Sequence, residues 1–382
     1  MKKSALKEPP SSVAVDVQEL SVTYPASKQK NLCPAQNAVI TSVKSLSDLI
    51  PMSSGEKLIL EKVTSKYHMR ITSYYWSLIK NTCNPSDPIR RQCVPNVKEL
   101  QNNSHESIDP LGEEEKSVTP FLVHRYPNRV LLLTTSKCFM YCRHCTRKRL
   151  WASDISDISA DEIKKAVSYI NSQPKIREVI VSGGDPLTLS NCKIDSILSA
   201  LSECKNIEAI RIGTRAPVVL PERINDGLCK ILEKYQKLWI NVQFNHPWEI
   251  TPASETACRK IQKCGIPINN QSVLLKGIND NPIIMKKLCE KLQAIRVRPY
   301  YLFQCDPVVG ACHFRTSLFK GIEIIEKMRG HTGGLCVPTF VVDGTNGKGK
   351  VPIAPNYVLS TTENEITLRN YNNEIFKYHI PG

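Results

Sequence analysis

The stretch "RVLLLTTSKCFMYCRHCTRKR", Arg129–Arg149, runs from an apolar segment into a loop. The loop holds Cys138, Cys142 and Cys145 together with five basic side chains, Lys137, Arg143, Arg147, Lys148 and Arg149. A short apolar run closed by threonines predicts a buried strand, and the thiols follow it directly. In a reducing compartment scattered cysteines act as small buried hydrophobes, whereas a tight group marks a metal or cluster site. A structural zinc wants four ligands, and only His144, between two of the thiols, stands near as a fourth. Iron–sulfur clusters are held by cysteine thiolates, usually four; three would leave one iron of a [4Fe–4S] cluster open to a substrate or cofactor. Cys138, Cys142 and Cys145 are therefore the candidate metal ligands.

Downstream of this loop, short apolar runs alternate with amphipathic stretches. The predicted strands are "RVLLLTT", "REVIVSG", "IEAIRIG", "KLWINVQ", "PINNQSVLL" and "RPYYLF". Segments with helical spacing separate them, from "SADEIKKAVSYIN" to "FKGIEIIEKMRG", and a seventh apolar run, "PTFVVD", closes the series. Six strand–helix units in succession predict an α/β fold, a partial parallel (β/α)6 barrel of the TIM type. Active sites of such barrels form at the C-terminal ends of the strands. There the loops "SKCFMYCRHC", "GGDPL", "GTRAP", "FNHP", "LLKGIND", "QCDPVVG" and "DGTNGKGK" would share one face.

Upstream, residues 1–42 are rich in Ser, Pro, Lys and Gln and predict a disordered extension. Residues 43–118 carry apolar residues three and four apart and predict a helical N-terminal domain. The barrel is expected over 119–345, and 346–382 is expected to be a loop and a short tail.

Composition narrows the classes. The chain has 382 residues, 41% of them hydrophobic and 23% charged, with no apolar run near the ~20 residues a bilayer span needs. The N-terminus lacks the apolar core of a secretory signal, so a cytoplasmic protein is expected, not a membrane one. A net charge of +15 points either to a solvated basic surface or to anionic partners. No basic run interleaved with aromatics supports an RNA-binding module, although an RNA-acting protein stays open on charge alone.

The C-x3-C-x2-C spacing after a first barrel strand resembles the motif of the radical S-adenosylmethionine enzymes. Its flanks, with "VSGGDPL", "RIGTRAPV", "FNHPWEIT", "NQSVLLKGIND", "RPYYLFQCD", "HFRTSLFKGIEIIEKMRGHTGG" and "VPTFVVDG", resemble the lysine 2,3-aminomutase family over roughly residues 105–378. That resemblance implies the radical S-adenosylmethionine fold and conversion of L-lysine to β-lysine by a radical 1,2-amino shift. It also implies a [4Fe–4S] cluster, S-adenosylmethionine and pyridoxal 5′-phosphate, and an electron donor such as flavodoxin or ferredoxin. A homo-oligomer is the expected assembly.

By the same resemblance Lys350 is the Schiff-base lysine and the catalytic residue, with Lys348 its rival because Asn346 and Lys348 interrupt the expected glycine run. Arg125, Tyr126 and Arg129 would hold pyridoxal phosphate. Ser182, Gly183, Gly184, Asp185, Gln243 and Gln271 would serve S-adenosylmethionine and the cofactor pocket. Gly183 and Gly184 would let the backbone approach the methionine end closely, and Gln243 stands where histidine is expected. Arg147 matches the arginine that clamps the substrate carboxylate. Asp306 and Asp343 match the acids that hold the side-chain ammonium of lysine. The sequence stops before the family's cysteine-rich zinc tail and has Asn281 at the remaining zinc-ligand position, so the structural zinc is expected to be absent. Two variant readings stay open: a lysine aminomutase serving elongation factor P modification, and an arginine aminomutase.

Overall fold

The computed structural model describes residues 38–101, 103–152 and 157–381. Ten strands form one continuous sheet. In chain order they are β1 Ser117–Thr119, β2 Leu122–Tyr126, β3 Arg129–Leu133, β4 Glu178–Ser182, β5 Ala209–Thr214, β6 Leu238–Val242, β7 Ile268–Leu274, β8 Arg298–Gln304, β9 Thr339–Gly344 and β10 Gly349–Pro352. Spatial order equals chain order. The run β3 to β9 is parallel throughout, and an antiparallel strand or hairpin is added at each side. Six helices connect the parallel strands: α1 Ala160–Ser172, α2 Asn191–Ser202, α3 Asp226–Leu232, α4 Pro252–Lys263, α5 Pro282–Ala294 and α6 Leu318–Met328. These β–helix–β crossovers leave the strand ends free to build one rim, the open counterpart of a closed barrel.

The core explains these boundaries. Val179 and Val181 of β4, Ile210 and Ile212 of β5, and Leu238 and Ile240 of β6 are buried in one cluster with Ile163, Ala166 and Ile170 of α1 and Leu198 and Leu201 of α2. Side-chain hydroxyls or amides of Ser159, Ser190, Asn225, Thr251, Asn281 and Ser317 cap the six helices, so each starts where a small polar residue can take a free N–H. Asn281 thus has a local task, its side chain accepting from the Ile283 N–H at 2.8 Å.

Three expectations need revision. The N-terminal helical pattern breaks: a helix spans Ser54–Lys66, but Ile71–Thr72 pair antiparallel with Val39–Ile40 before a short helix resumes at Ser73. The cause is the cysteine loop. Arg143 donates to the Tyr67 and His68 carbonyls at 3.2 and 2.8 Å, and the Tyr141 N–H donates to the Arg70 carbonyl at 3.0 Å, which holds 67–70 extended. The extension expected over 1–42 lies mostly outside the described residues, and Val39–Ile40 within them are strand. At the other end, Lys350 lies on β10 rather than in a loop. Val358–Thr361, Glu365–Arg369 and Ile375–His379 then make a three-stranded antiparallel sheet where a short tail was expected.

A buried charge cluster fastens the cysteine loop to the N-terminal segment. Glu99 binds Arg143 through Nη2 at 2.6 Å and the Lys148 ammonium at 2.8 Å, with all three side chains at or below 2% exposure. Burial opposes the charge on Glu99, but Arg143 and Lys148 outweigh it and hold its carboxyl below the ordinary range; burial pushes Lys148 down to about 8. Removing one member strands the others without compensation, which costs about 3–5 kcal/mol. Glu99→Ala should therefore lower the unfolding free energy of the metal-free chain by that amount in a urea titration, while an exposed control such as Glu115→Ala changes it little.

Candidate active site

The inward side chains of the strands enclose two adjoining chambers. The outer one, about 320 Å³, lies at the C-terminal rim and is lined by the three cysteines, the "GGD" turn, Gln243, Asp306 and Asp343. The inner one, about 220 Å³, is lined by Arg125, Tyr126, Arg129, Arg211 and Tyr301. Lys350, Arg147, Ser182 and Gln271 line both. Every site residue expected from the sequence therefore faces one of two connected spaces.

At the rim, the "GGD" turn is welded to the cysteine loop. The Gly184 N–H donates to the Thr135 carbonyl at 2.6 Å and the Asp185 N–H to the Lys137 carbonyl at 2.7 Å. A Cβ on Gly183, whose φ is +131°, would sit 2.3 Å from the Thr135 oxygen; one on Gly184 would sit 2.1 Å from the Lys137 oxygen. The glycines are thus required by backbone packed on backbone, independently of any approach to the cofactor. The Asp185 carboxylate is turned inward as well: it accepts from Thr214 Oγ1 at 2.7 and 2.9 Å and from the N–H groups of Arg215 and Leu187 at 2.8 and 3.0 Å. It braces the rim rather than presenting a free acid.

Two residues not singled out from the sequence complete the site, Arg215 lining the outer chamber and Glu113 the inner one. Arg215, in "GTRAP", donates from Nη1 to the Cys142 sulfur at 2.9 Å. Glu113 grips Arg147 through Nε and Nη2 at 2.6–3.1 Å and also accepts from Arg149 at 2.9 Å. Burial disfavours the charge on Glu113, yet the two arginines hold its carboxyl at about 2. With that fork occupied, Arg147 offers the chamber its Nη1, which stands 3.4 Å from Ser182 Oγ. His144 Nε2 accepts from the Gln243 side-chain amide at 3.1 Å and from Asn245 at 3.4 Å, so that nitrogen is not free for a metal.

The inner chamber is organised around Tyr126. Its hydroxyl accepts from the Lys350 N–H and from Arg125 Nη2, both at 3.0 Å, and the Arg129 guanidinium lies 4.0 Å above its ring. Asp343 bridges two cations, Arg125 at 2.5 Å and the Lys350 ammonium at 3.4 Å. Register explains the second contact, since β9 and β10 place Asp343 directly opposite Lys350. Asn346 adopts a left-handed φ of 55°, which asparagine tolerates, and Gly347 and Gly349 follow at 75° and 91°, so the interrupted glycine run still turns. Lys350 faces both chambers; Lys348 lines neither. Asp306 differs from Asp343: no cation among the described residues lies within ion-pair distance of it, and burial, with the neighbouring Asp343 charge, pushes its carboxyl up to about 6.

Comparisons with known proteins identify the family. The Radical SAM superfamily model matches residues 132–286 and the Lysine-2,3-aminomutase model residues 325–382. An L-lysine 2,3-aminomutase from Acetoanaerobium sticklandii is 48% identical over 342 residues, covering 90% of this chain and 82% of its own length. The chain belongs to the lysine 2,3-aminomutase family. Within that family, an L-lysine 2,3-aminomutase from Methanococcus maripaludis is 50% identical over 87% of this chain and 77% of its own. A glutamate 2,3-aminomutase from Clostridioides difficile is 40% identical over 88% and 80%.

Membership in the lysine 2,3-aminomutase family brings a [4Fe–4S] cluster, S-adenosylmethionine and pyridoxal phosphate, and the residues present fit all three. The donor set suits the cluster: Arg215 donates to the Cys142 sulfur, and the Arg147 N–H lies 3.3 Å from the Cys145 sulfur. The inner chamber offers an anion the buried, unpartnered Nε atoms of Arg125 and Arg211. It also offers Arg129, which has no ion-pair partner among the described residues. Paired guanidiniums of this kind suit a phosphate.

Because Gly184 has no room for a side chain, Gly184→Ala must push the cysteine loop out of place. The variant is expected to keep its far-ultraviolet circular dichroism but to take up severalfold less iron and sulfide per chain on anaerobic reconstitution.

Proposed function

We propose that this protein is an L-lysine 2,3-aminomutase, converting L-lysine to β-lysine. The observation that carries the reading is Asp306, a part-buried carboxylate facing the outer chamber with no cation among the described residues within ion-pair distance, in a space that also presents Arg147 and Lys350. An α-amino acid with a cationic side chain satisfies all three: its carboxylate meets Arg147, its α-amino group lies toward Lys350, and its side-chain cation meets Asp306. Asp343 contributes less than a free acid would, because Arg125 already neutralises it. A glutamate side chain would bring a third carboxylate beside Asp306 and Asp343, which repulsion disfavours. When bound, the cluster with S-adenosylmethionine supplies hydrogen-atom abstraction at an unactivated carbon, and pyridoxal phosphate supplies the π-system through which nitrogen migrates.

The chain's own residues then have separable tasks. Cys138, Cys142 and Cys145 would hold the cluster, with Gln243, Gln271, Ser182 and the "GGD" backbone around the S-adenosylmethionine site. Arg125, Tyr126 and Arg129 would hold pyridoxal phosphate, and Lys350 its aldehyde. Arg147, kept in one plane by Glu113, orients the substrate. The reaction also needs an external one-electron donor of low potential. No helix of the described residues is long and apolar enough to cross a membrane.

The test is anaerobic incubation of the reconstituted enzyme with lysine, arginine and glutamate separately, followed by chiral chromatography of the products. β-Lysine from lysine, with little from the other two, is the expected outcome. β-Arginine or β-glutamate as the main product would overturn the substrate assignment, and Lys350→Ala should abolish turnover.

The titration of Asp306 gives a second expectation. Its carboxyl is neutral below about 6 in the free enzyme and charged above, so cation binding is favoured at higher pH and is lost as pH falls through that value. The KM for lysine should therefore rise steeply below about pH 6. Asp306→Asn should remove that dependence and lower kcat/KM about thirtyfold or more, as expected when one partner of a buried charge pair worth about 2–5 kcal/mol is deleted.

A further inference from the structure

We propose that Arg215 sets the reduction potential of the cluster, by donating a charge-assisted hydrogen bond to the Cys142 sulfur from a buried ion pair with Glu249. This rests on the cluster assignment above and adds a residue that faces the cluster from the far side of the rim. Arg215 follows β5 and is 7% exposed. Its Nε donates to the Gln243 carbonyl at 3.0 Å, and its Nη2 to Glu249 at 2.8 Å and to the Gln92 side-chain oxygen at 3.3 Å. Those contacts fix the guanidinium plane, and the remaining nitrogen, Nη1, points at the Cys142 sulfur 2.9 Å away.

Glu249 is itself immobile. It is fully buried and accepts from the Tyr75 hydroxyl at 2.6 Å and from the N–H groups of Asn245 and His246 at 2.5 and 2.9 Å. A buried guanidinium needs compensation. Glu249 supplies one negative charge, and a metal-bound thiolate supplies a second that the free thiol lacks. Reduction adds one electron to the cluster and so one negative charge beside Arg215. A fixed cation and a hydrogen bond to the cluster sulfur both favour that reduced state and so raise the potential. The low dielectric of the interior strengthens the effect. Arg215 does not touch the substrate, and in this role it is a positioning residue for the electron.

The experiment is a redox titration followed by electron paramagnetic resonance on the anaerobically reconstituted full chain, without S-adenosylmethionine or substrate. The unmodified protein is compared with Arg215→Lys and with the double variant Arg215→Met/Glu249→Gln, which leaves no lone buried charge. Both variants should load iron and sulfide like the unmodified chain. At a fixed solution potential, the ratio of reduced to oxidised cluster should fall about tenfold in the double variant, equivalent to about 59 mV for one electron, and by less in Arg215→Lys. An unchanged ratio in both fully loaded variants would overturn the proposal. So would loss of iron from both with the fold retained, because Arg215 would then be holding the loop rather than tuning the cluster. In the unmodified protein grown with 15N-arginine, electron–nuclear spectroscopy of the reduced cluster should show a 15N coupling, and its absence would also refute the idea without any variant. A chain that takes up no cluster at all would instead overturn the function proposed above, and this inference with it.

Discussion

The Glu99 carboxylate is the constraint on which the rest of the site depends. A loop that offers three thiols must hold them still, and its own cations would otherwise repel one another. Glu99 takes Arg143 and Lys148 together in a dry pocket. Glu113 takes Arg147 and Arg149, Asp109 and Glu114 add to Arg149, and Asp157 takes Lys137. All five basic residues of the cysteine loop are thus matched by acids, four of them by acids from the segment 99–114. The local density of positive charge is internal wiring between the N-terminal segment and the barrel, not a face for nucleic acid.

From that anchor the site follows the strands. Inward positions on a parallel barrel are ordinarily filled by branched apolar side chains. Here Arg211 on β5, Asn241 on β6 and Gln271 on β7 point into the chambers instead, and the apolar residues of the same strands face the helices. Depth along the strands sorts the chemistry. The rim carries sulfur, backbone and carboxylates; the floor carries guanidiniums and phenols. Lys350 and Arg147 stand at the boundary, where a molecule bridging the two spaces would react. The two aspartates also differ in their partners, Asp343 being tied to Arg125 and Lys350 while Asp306 has no cation among the described residues within ion-pair distance.

Much of this was legible in sequence because it is local. Each of the six strands and six helices expected in the barrel is present, since a period of 2 or 3.6 and a capping residue are properties of neighbouring positions. The three cysteines stand out as candidates by spacing, and Lys350, Asp306, Asp343 and Arg147 as candidates by resemblance, all of them lining the two chambers. What was misread depended on distant partners. The helical pattern after Lys66 gave way because Arg143, more than seventy positions along the chain, claimed the carbonyls of Tyr67 and His68. Lys350 became a strand residue because β9 lay open for pairing.

The sequence by itself determined the order of elements in the barrel and the family, and it nominated the candidate site residues, because patterning and motif are written in adjacent positions. Only the tertiary structure decided what those residues do to one another. Glu113 and Arg215 look like ordinary charged residues in the chain and become the partners of Arg147 and Cys142 only when the sheet curls. Gly183 and Gly184, beyond any contact with a cofactor, form the contact surface for the cysteine loop. Hydrogen bonds and ion pairs act over a few ångströms, and a distance of that size between residues thirty to two hundred positions apart exists only after the chain has closed on itself.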